Sequence, residues 1–416
     1  MVAELTLRRS VPTMHRAVTL LFVLFLALRA TPAGAFHYIT PTLVQIPPVG
    51  QNPGTIGNPS WAGLRYVLFD SDADLLNNGS TGRQVFLFDL QERDVQGILA
   101  LSQLTTAPLD GNQHARSGHR AVMIAYEAHL GGVGPKQLML IDRRTGVRSQ
   151  LTDGGSDSGN PSMDDGERVI VFESSADFFN TGQGGTQIYK IDLRRALLGC
   201  PFPCAETGNA GLEQITNKTG NNRNAVTSNS GKYIVFQSDA DLLNVGQTED
   251  QIYLHDAKSG LISRVTHGPG ASRNPTLSRD GGRLVFESDA NLTGSGTGGT
   301  QLFYYRRNKA TLQQITNPPG GSCTNPSISS NGHAVAFISS NNLLGLGSTG
   351  PELYSYSLKK NFLSQLTNAP SSVGSPAYAS GVFTVFLADG DVAGNGSPGT
   401  ELHLVNLFAL GGNQVQ

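Results

Sequence analysis

The sequence is poor in charge, and it lacks the short motifs that mark common exported enzymes. Charged residues make up 15% of the 416 residues and the formal net charge is −2, so no broad basic surface is expected and a nucleic-acid partner is disfavoured. No G-x-S-x-G nucleophile elbow occurs, and the nine histidines show no His-x-x-x-His metal pattern. The single tryptophan, Trp61, is not part of a sialidase-type turn. These absences favour a non-catalytic protein.

Glycine, in contrast, is abundant. The 50 glycines are about 12% of the chain, against a usual ~7%. This composition is typical of many short strands joined by tight turns.

Residues 1–35 have the pattern of a secretory signal peptide. Arg8 and Arg9 lie in a basic leader, an apolar run extends from Ala17 to Leu28, and an Ala-Gly-Ala sequence ends before Phe36. The alternative is a membrane anchor, but a span needs about 20 apolar residues and this run is interrupted by Arg29. The sequence therefore predicts cleavage before Phe36, a mature chain without a transmembrane span, and a periplasmic or secreted location.

One sequence unit recurs along the rest of the chain. It has an Asn-Pro-Ser-like start, an apolar strand ending in an aromatic residue and often Ser, an alternating strand ending in Asp, and a Gln-apolar-Thr close. The aromatic residues of the second piece are spaced 64, 50, 51 and 49 residues apart: Phe172, Phe236, Phe286, Phe337 and Phe386. A period near 50 with four strands per unit is typical of a β-propeller.

Six clear units and one degenerate unit make seven. The degenerate unit runs from about Asn112 to Thr152, with its two middle strands expected at Ala121 to Tyr126 and Gln137 to Asp142. A single four-stranded sheet cannot bury both faces alone, so the units are expected to pack around a ring. The predicted fold class is therefore all-β, a seven-bladed β-propeller with four-stranded antiparallel blades.

The two ends of the chain predict how the ring closes. The last unit reaches Asn406 without a Gln-apolar-Thr strand, and a matching Gln45-Ile46-Pro47-Pro48 segment occurs near the N-terminus. Residues 42–46 are therefore expected to form the outer strand of the last blade and to close the ring. The predicted domains are a signal peptide (1–35), an N-terminal closing segment (36–57), the propeller repeats (58–406) and a C-terminal tail (407–416).

The clearest copy of the unit is Ser278-Arg279-Asp280-Gly281 followed by Phe286-Glu287-Ser288. In this pattern the chain resembles the TolB-type, WD-like propeller repeats of bacterial exported proteins, over about residues 45–406. The resemblance implies the propeller fold. Because such propellers mostly serve as binding platforms and also occur beside hydrolase domains, it implies much less about function.

Acidic residues recur after the second strand of several units: Asp70, Asp72, Asp74, Asp239 and Asp241. Carboxylates at alternate positions of a loop can bind calcium, the one cofactor that the sequence suggests. A calcium loop needs Gly after its third ligand, whereas this chain has Leu75 or Leu242 there. Asp also stabilises turns by hydrogen-bonding to its own backbone, so a structural turn is favoured and a metal site is the alternative.

Cysteine and histidine give two smaller predictions. Cys200 and Cys204 lie in an insertion of the third unit and are expected to form a disulfide that staples the loop, with Cys323, in the loop before a first strand, left unpaired. Three histidines gather in the degenerate unit and are expected on exposed loops: His114, His119 and His129.

The loops that enter the first strands should meet at one mouth of the central channel. The candidate ligand-binding residues there are Arg223, Asn224, Arg273, Asn274 and Asn325. The two arginines occupy equivalent places in adjacent units, which would suit clamping of a carboxylate or another anionic group. The alternative is that the arginines are solvated and the asparagines cap turns.

The sequence thus favours a non-catalytic exported scaffold that binds an unidentified protein or glycan in the cell envelope or outside the cell. The alternative is an exported propeller enzyme such as a glycan lyase or hydrolase. An enzyme would need acid and base groups that converge at the channel.

Overall fold

The computed structural model describes residues 42–46, 55–93, 99–107, 111–195, 211–246, 248–295, 298–318, 320–346, 350–368, 373–379, 383–389 and 400–406. These residues form 28 β-strands in seven four-stranded antiparallel sheets. The predicted seven-bladed β-propeller is confirmed.

In blades 1 to 6 the four strands follow one another along the chain, from the channel outwards. Blade 1 consists of β2 (Ile56–Ala62), β3 (Tyr66–Ser71), β4 (Gln84–Arg93) and β5 (Leu99–Gln103), after β1 (Thr42–Ile46). Blade 2 consists of β6 (Gln113–Ser117), β7 (Met123–Ala128), β8 (Gln137–Asp142) and β9 (Val147–Gln150). Blade 3 consists of β10 (Ser158–Met163), β11 (Val169–Ser174), β12 (Gln187–Asp192) and β13 (Leu212–Gln214).

The later blades repeat this order. Blade 4 consists of β14 (Asn222–Thr227), β15 (Tyr233–Ser238), β16 (Gln251–Asp256) and β17 (Leu261–Arg264). Blade 5 consists of β18 (Ser272–Leu277), β19 (Arg283–Ser288), β20 (Gln301–Arg306) and β21 (Thr311–Gln314). Blade 6 consists of β22 (Cys323–Ile328), β23 (Ala334–Ser339), β24 (Glu352–Ser357) and β25 (Phe362–Gln365). Blade 7 contains β26 (Val373–Tyr378), β27 (Phe383–Asp389) and β28 (Thr400–Asn406), and two short 3-10 turns lie at Leu130–Gly132 and Arg307–Lys309.

The N-terminal strand closes the ring, as the sequence predicts. β1 pairs antiparallel with β28, with Thr42 opposite Asn406 and Ile46 opposite Leu402. It is therefore the fourth, outermost strand of blade 7. The innermost strand of blade 1 also packs against that of blade 7, so the two ends of the repeat array meet by sheet pairing and by packing.

The recurrent aromatic residues form the centre of the blades. In six blades an aromatic residue of the second strand stacks on a ring of the third, with ring centroids 5.3 to 5.9 Å apart: Phe69–Phe86, Phe172–Tyr189, Phe236–Tyr253, Phe286–Phe303, Phe337–Tyr354 and Phe386–His403. Buried aliphatic side chains of one blade complete clusters with the next, as Val171 does with Phe236. Burial of such side chains supplies most of the stabilisation between sheets.

In blades 1 to 6, the threonine that closes the unit ties the end of the fourth strand to the third. The Thr316 hydroxyl donates to Gln301 Oε1 at 2.9 Å and accepts the Leu302 N–H at 2.8 Å. Thr105, Thr152, Thr216, Thr266 and Thr367 make the same pair of bonds in their own blades. The motif is therefore structural, because it satisfies buried polar groups where the ladder ends.

Blade 2 departs from its predicted bounds by two residues. Its second strand is β7 (Met123–Ala128), not Ala121 to Tyr126, because Ala121 lies in the preceding turn with φ of 49°. Alanine in the left-handed region gives no sequence signal. The predicted signal peptide, the Cys200–Cys204 disulfide and the C-terminal tail lie outside the described residues, and no helix in the described part of the chain is long and apolar enough to span a membrane.

Candidate ligand site in the central channel

Every innermost strand carries a bulge where it meets the channel. The pairing register of that strand shifts at the bulge, for example between Arg223 and Val226. The bulge residue is left-handed, with φ between 47° and 53°, in each of the seven blades: Asn58, His114, Asn160, Asn224, Asn274, Asn325 and Ser375. Asparagine tolerates this conformation better than most residues, and the proline that usually follows has no N–H to leave unpaired. The Asn-Pro-Ser start of the sequence unit is thus a bulge inside a strand.

At five of the seven contacts between blades, a buried polar side chain joins one blade to the bulge of the next. We call it the junction residue; it is the last but one residue of the second strand in blades 1 to 5: Asp70, Glu127, Glu173, Gln237 and Glu287. Each accepts the backbone N–H of the bulge residue in the next blade, at 2.5 to 3.1 Å. All five are more than nine-tenths buried. In blades 6 and 7 the position holds Ile338 and Leu387.

The junction glutamates of blades 2 and 3 have opposite electrostatics. Desolvation by itself would raise the pKa of Glu127, but His114, the Asn160 N–H and Lys136 outweigh it and lower the pKa to about 2. The Lys136 ammonium and His114 Nδ1 each lie 3.0 Å from a Glu127 oxygen. Glu173 has no such ion pair, and desolvation raises its pKa to about 7 despite bonds from Asn160 and Asn224.

Below the bulges the channel holds a cavity of about 520 Å³. The residue two positions after each bulge lines the channel wall; these wall residues are Ser60, Arg116, Ser162, Val226, Thr276, Ser327 and Ala377. Six are small or aliphatic and one is a guanidinium. Sequence analysis missed both Arg116 and the glutamates, although each left a signal: Arg116 breaks the wall pattern, and the glutamates occupy the middle of the aromatic-x-Ser motif.

The lower mouth, where the innermost strands end, is ringed by backbone hydrogen bonds between successive turns. Each bond joins the N–H of one blade to a carbonyl of the next, at 2.8 to 3.4 Å: His119 to Asp165, Asp165 to Asn229, Asn229 to Arg279, Arg279 to Ser330, and Ser330 to Ala379. The side chains of Arg279 and Asp165 form an ion pair across the intervening blade. Backbone hydrogen bonds therefore join the turns of this mouth, and Arg279, which lines it, is neutralised by Asp165.

The upper mouth, where the innermost strands begin, contains the residues that the sequence predicts as a ligand site. Asn224, Asn274 and Asn325 line a shallower cavity of about 260 Å³. Arg223 and Arg273 line neither cavity. The Arg223 guanidinium is 3.1 Å from both oxygens of Asp250, and that of Arg273 is 2.8 Å from Asp289. The predicted anion clamp stays a prediction, with both of its cations already facing carboxylates.

The acidic loops hold their own turns together. Asp74 accepts the N–H groups of Asn78 and Gly79, which lower its pKa, and Asp241 accepts those of Val245 and Gly246. Asp72 accepts from Thr55 and Asp239 from Asn221, whereas Asp70 is the buried junction residue of blade 1. Within the described ranges no three His, Cys, Asp or Glu side chains are grouped to hold a metal ion. Calcium binding stays a prediction.

Two expectations need correction. His114 does not lie on an exposed loop; it is the half-buried bulge residue of β6, because the degenerate unit places it where five of the other six blades have asparagine. Cys323 is not in a loop either. It is the buried first residue of β22, with Sγ 3.6 Å from the Ser339 hydroxyl, and it has no disulfide partner within the described residues.

Comparisons with known proteins agree with this architecture. An oligogalacturonate lyase in complex with manganese superposes with a TM-score of 0.59 at 13% identity, over 88% of this chain and 96% of that one. The β-propeller domain of the Trilobed protease from Pyrococcus furiosus gives 0.57 at 10% identity, over 88% and 96%. These likenesses show the fold. At such identities they show nothing about the activity of this chain.

A TolB structure from Acinetobacter baumannii also matches, with 20% identity and a TM-score of 0.42 over 68% of this chain. This chain spans 58% of the length of that TolB structure. No protein-family model matches the sequence, and no curated protein matches it.

Proposed function

We propose that this protein is an exported, non-catalytic scaffold that binds a protein or glycan through its central channel and upper mouth. The proposal rests on a contrast between two sets of polar groups around the channel, those at the blade junctions and those on the cavity wall. The junction carboxylates are buried and hold blades together, while the seven wall residues present hydroxyls, aliphatic groups and the guanidinium of Arg116. A wall of this kind suits recognition of a ligand, because a few fixed polar groups give orientation within a concave site.

The histidines support binding over catalysis. His114 and His119 both line the cavity, but they lie at the start and beyond the end of β6, five residues apart. At roughly 3.3 Å per residue they are too far apart to act on one substrate atom.

A glycan lyase is the second candidate, because His114 and Glu127 form a His–carboxylate pair at the cavity wall. The lowered pKa of Glu127 disfavours it as the general base, since a base works best with a pKa near the operating pH. In a lyase His114 would therefore be the base, oriented by the ionised Glu127. Incubation with oligogalacturonate tests this directly. Product formation that is lost in a His114→Gln variant would establish the lyase and refute the scaffold.

The scaffold proposal is tested by blocking the channel. Val226 lines the cavity as a wall residue, so Val226→Phe should narrow the channel while leaving the junction bonds in place. Capture of partners from envelope extracts and binding to a glycan panel should both be measured, with melting temperature as the folding control. Capture that is unchanged in Val226→Phe and also in the double variant Arg223→Ala with Arg273→Ala would exclude the channel and the upper mouth.

A further inference from the structure

Arg116 is the exception among the wall residues. It stands in the degenerate blade, where the other blades have Ser, Thr, Val or Ala. Its side chain is half-buried and lines the cavity. A long cationic side chain in a narrow channel costs desolvation energy, so its presence calls for a physical explanation.

The guanidinium is anchored on one side only. Nη1 donates to the carbonyl of Ala115 at 2.9 Å and to that of Asn58 at 3.3 Å. Nε and Nη2 have no acceptor within the described part of the chain. These atoms form the edge with which an arginine takes both oxygens of a carboxylate, and the two carbonyls hold the group in place beforehand.

No carboxylate among the described residues forms an ion pair with Arg116, although Asp70 and Glu127 attract its charge from a greater distance. Asp70 faces Arg83 at 2.9 Å and Glu127 faces Lys136 at 3.0 Å, so both nearby carboxylates already have cations. Desolvation is the largest influence on the pKa of Arg116 and lowers it. The described cavity wall therefore carries one unpaired permanent cation, which a bound anion would stabilise.

The wall opposite blade 2 offers hydroxyl groups. In a ring of seven, blades 5 and 6 lie across the channel, and their wall residues are Thr276 and Ser327. Each hydroxyl oxygen accepts a backbone N–H of the next blade, from Ile328 at 3.3 Å and Tyr378 at 2.9 Å. Each hydroxyl hydrogen has no acceptor among the residues described, so it can donate to a ligand.

We propose that Arg116 is a carboxylate subsite and that the channel takes an acidic sugar, a uronate, with its carboxylate on the Nε–Nη2 edge and its hydroxyls towards Thr276 and Ser327. This inference rests on the proposed function and narrows it to one ligand class. A cavity of about 520 Å³ is within the usual range for small-molecule sites.

The backbone of the channel wall favours a sugar over a peptide. A peptide strand would bind by pairing with an exposed sheet edge. Here the bulge N–H groups of five blades already donate to junction residues, and the N–H groups of Thr227, Ile328 and Tyr378 donate to wall hydroxyls. The innermost edge has few main-chain donors left for an added strand.

The experiment uses the mature chain and the fluorescence of Trp61, the only tryptophan, which lines the same cavity from the adjacent blade. Galacturonate and glucuronate are titrated against galactose and glucose, which lack the carboxylate, and against a short acidic peptide. Arg116→Gln is the test variant. Arg116→Lys retains the positive charge but lacks the Nε–Nη2 edge that can bind both oxygens of a carboxylate. Arg194→Gln is the matched control, because Arg194 is ion-paired with Asp192 at 2.7 Å and lies outside the cavity.

Uronates should bind wild type at least tenfold more tightly than neutral sugars, and Arg116→Gln should remove that preference. Arg116→Lys should retain part of it and Arg194→Gln all of it. If Arg116→Gln does not fold, a Trp61 response in wild type to uronates but not to neutral sugars still supports the proposal.

Equal binding of acidic and neutral sugars would overturn the subsite, as would stronger binding of the acidic peptide. In either case a loss of that binding in Val226→Phe would show that the channel is still a binding site. No response to sugars together with partner capture that is insensitive to Val226→Phe would refute both proposals.

Discussion

Blades 2 and 3 carry a glutamate at the same place on the same strand, and both side chains accept the bulge N–H of the next blade. Glu127 is surrounded by Lys136 and His114, and its pKa is lowered to about 2. Glu173 is surrounded by amides, and its pKa is raised to about 7. The repeat thus determines the hydrogen-bond geometry of a junction, whereas residues outside the repeat motif determine its charge.

Blade 4 shows that the geometry does not need the charge. Gln237 accepts the Asn274 N–H at 2.8 Å and the Asn224 side-chain amide at 2.9 Å with one neutral oxygen. An amide can therefore replace a junction carboxylate where no cation is present. Where a cation is present, the replacement should leave that cation unpaired.

Opening the ring should lower stability most, because pairing of β1 with β28 closes the ring in which all the blade junctions are held. Deleting residues 36–46 removes β1 and exposes the edge of β28. We expect the melting temperature to fall by roughly 10 °C, since several kcal/mol are lost and a large domain shifts by about 2–4 °C per kcal/mol. Differential scanning calorimetry measures this, and a synthetic peptide of residues 36–50 should restore part of the loss. An unchanged transition would mean that β1 does not hold the ring.

The comparison of the two glutamates is tested by the same substitution in each. Glu127→Gln should lower the free energy of unfolding at pH 7 by about 2 kcal/mol, because Lys136 loses its buried partner. Glu173→Gln should leave it unchanged or raise it, because the amide oxygen can still accept from Asn224, as Gln237 does from Asn274. Urea denaturation of both variants and wild type provides the measurement. Equal losses in the two variants would show that the neighbouring cations do not distinguish the junctions.

The contributions of the two junction glutamates to stability should also depend on pH in opposite directions. A raised pKa in the folded state means that Glu173 contributes stability below its ordinary pKa of about 4.5, which is lost as the pH rises to about 7. The loss should be on the order of 2 kcal/mol, given 1.36 kcal/mol per pKa unit and partial relaxation. For Glu127 the sign is reversed: its contribution is present above pH 4.5 and is lost as the pH falls towards 2.

Unfolding free energies at pH 5 and pH 8 isolate the Glu173 contribution. The difference between the two pH values should be much smaller in Glu173→Gln than in wild type. Glu127→Gln should reduce it only slightly, because the charge of Glu127 raises the pKa of Glu173 less than desolvation does. A pH profile that is identical in wild type and Glu173→Gln would contradict the raised pKa.

The sequence predicts the fold well because the fold is a matter of periodicity. The aromatic spacing, the turn glycines and the missing strand after Asn406 lead to seven blades and to closure by residues 42–46. The exact limits of blade 2 could not be predicted, since nothing in the sequence marks the left-handed backbone of Ala121.

The site was less predictable because it depends on which charges meet across blades. Arg223 and Arg273 occupy equivalent places, as expected, but Asp250 and Asp289 neutralise them from loops whose approach the sequence does not reveal. The sequence does not single out Arg116 as a site residue, because Arg116 lies in the degenerate unit, where alignment with the other blades is weakest.

The smallest effect on stability should come from the bulge of blade 6, because that blade has no junction carboxylate of its own. Its own junction position holds Ile338, so the Asn325 side chain lacks the acidic partner that Asn160 has in Glu173. Asn325 has φ of 52°, and its backbone N–H donates to Glu287 at 2.7 Å. Asn325→Ala should cost about 1 kcal/mol, the strain of a Cβ in the left-handed region, whereas Asn325→Gly should cost close to nothing. Urea denaturation of the two variants decides the matter: if alanine and glycine are equivalent, the left-handed bulge is not what selects asparagine at this position, and its amide at the upper mouth becomes the reason to examine.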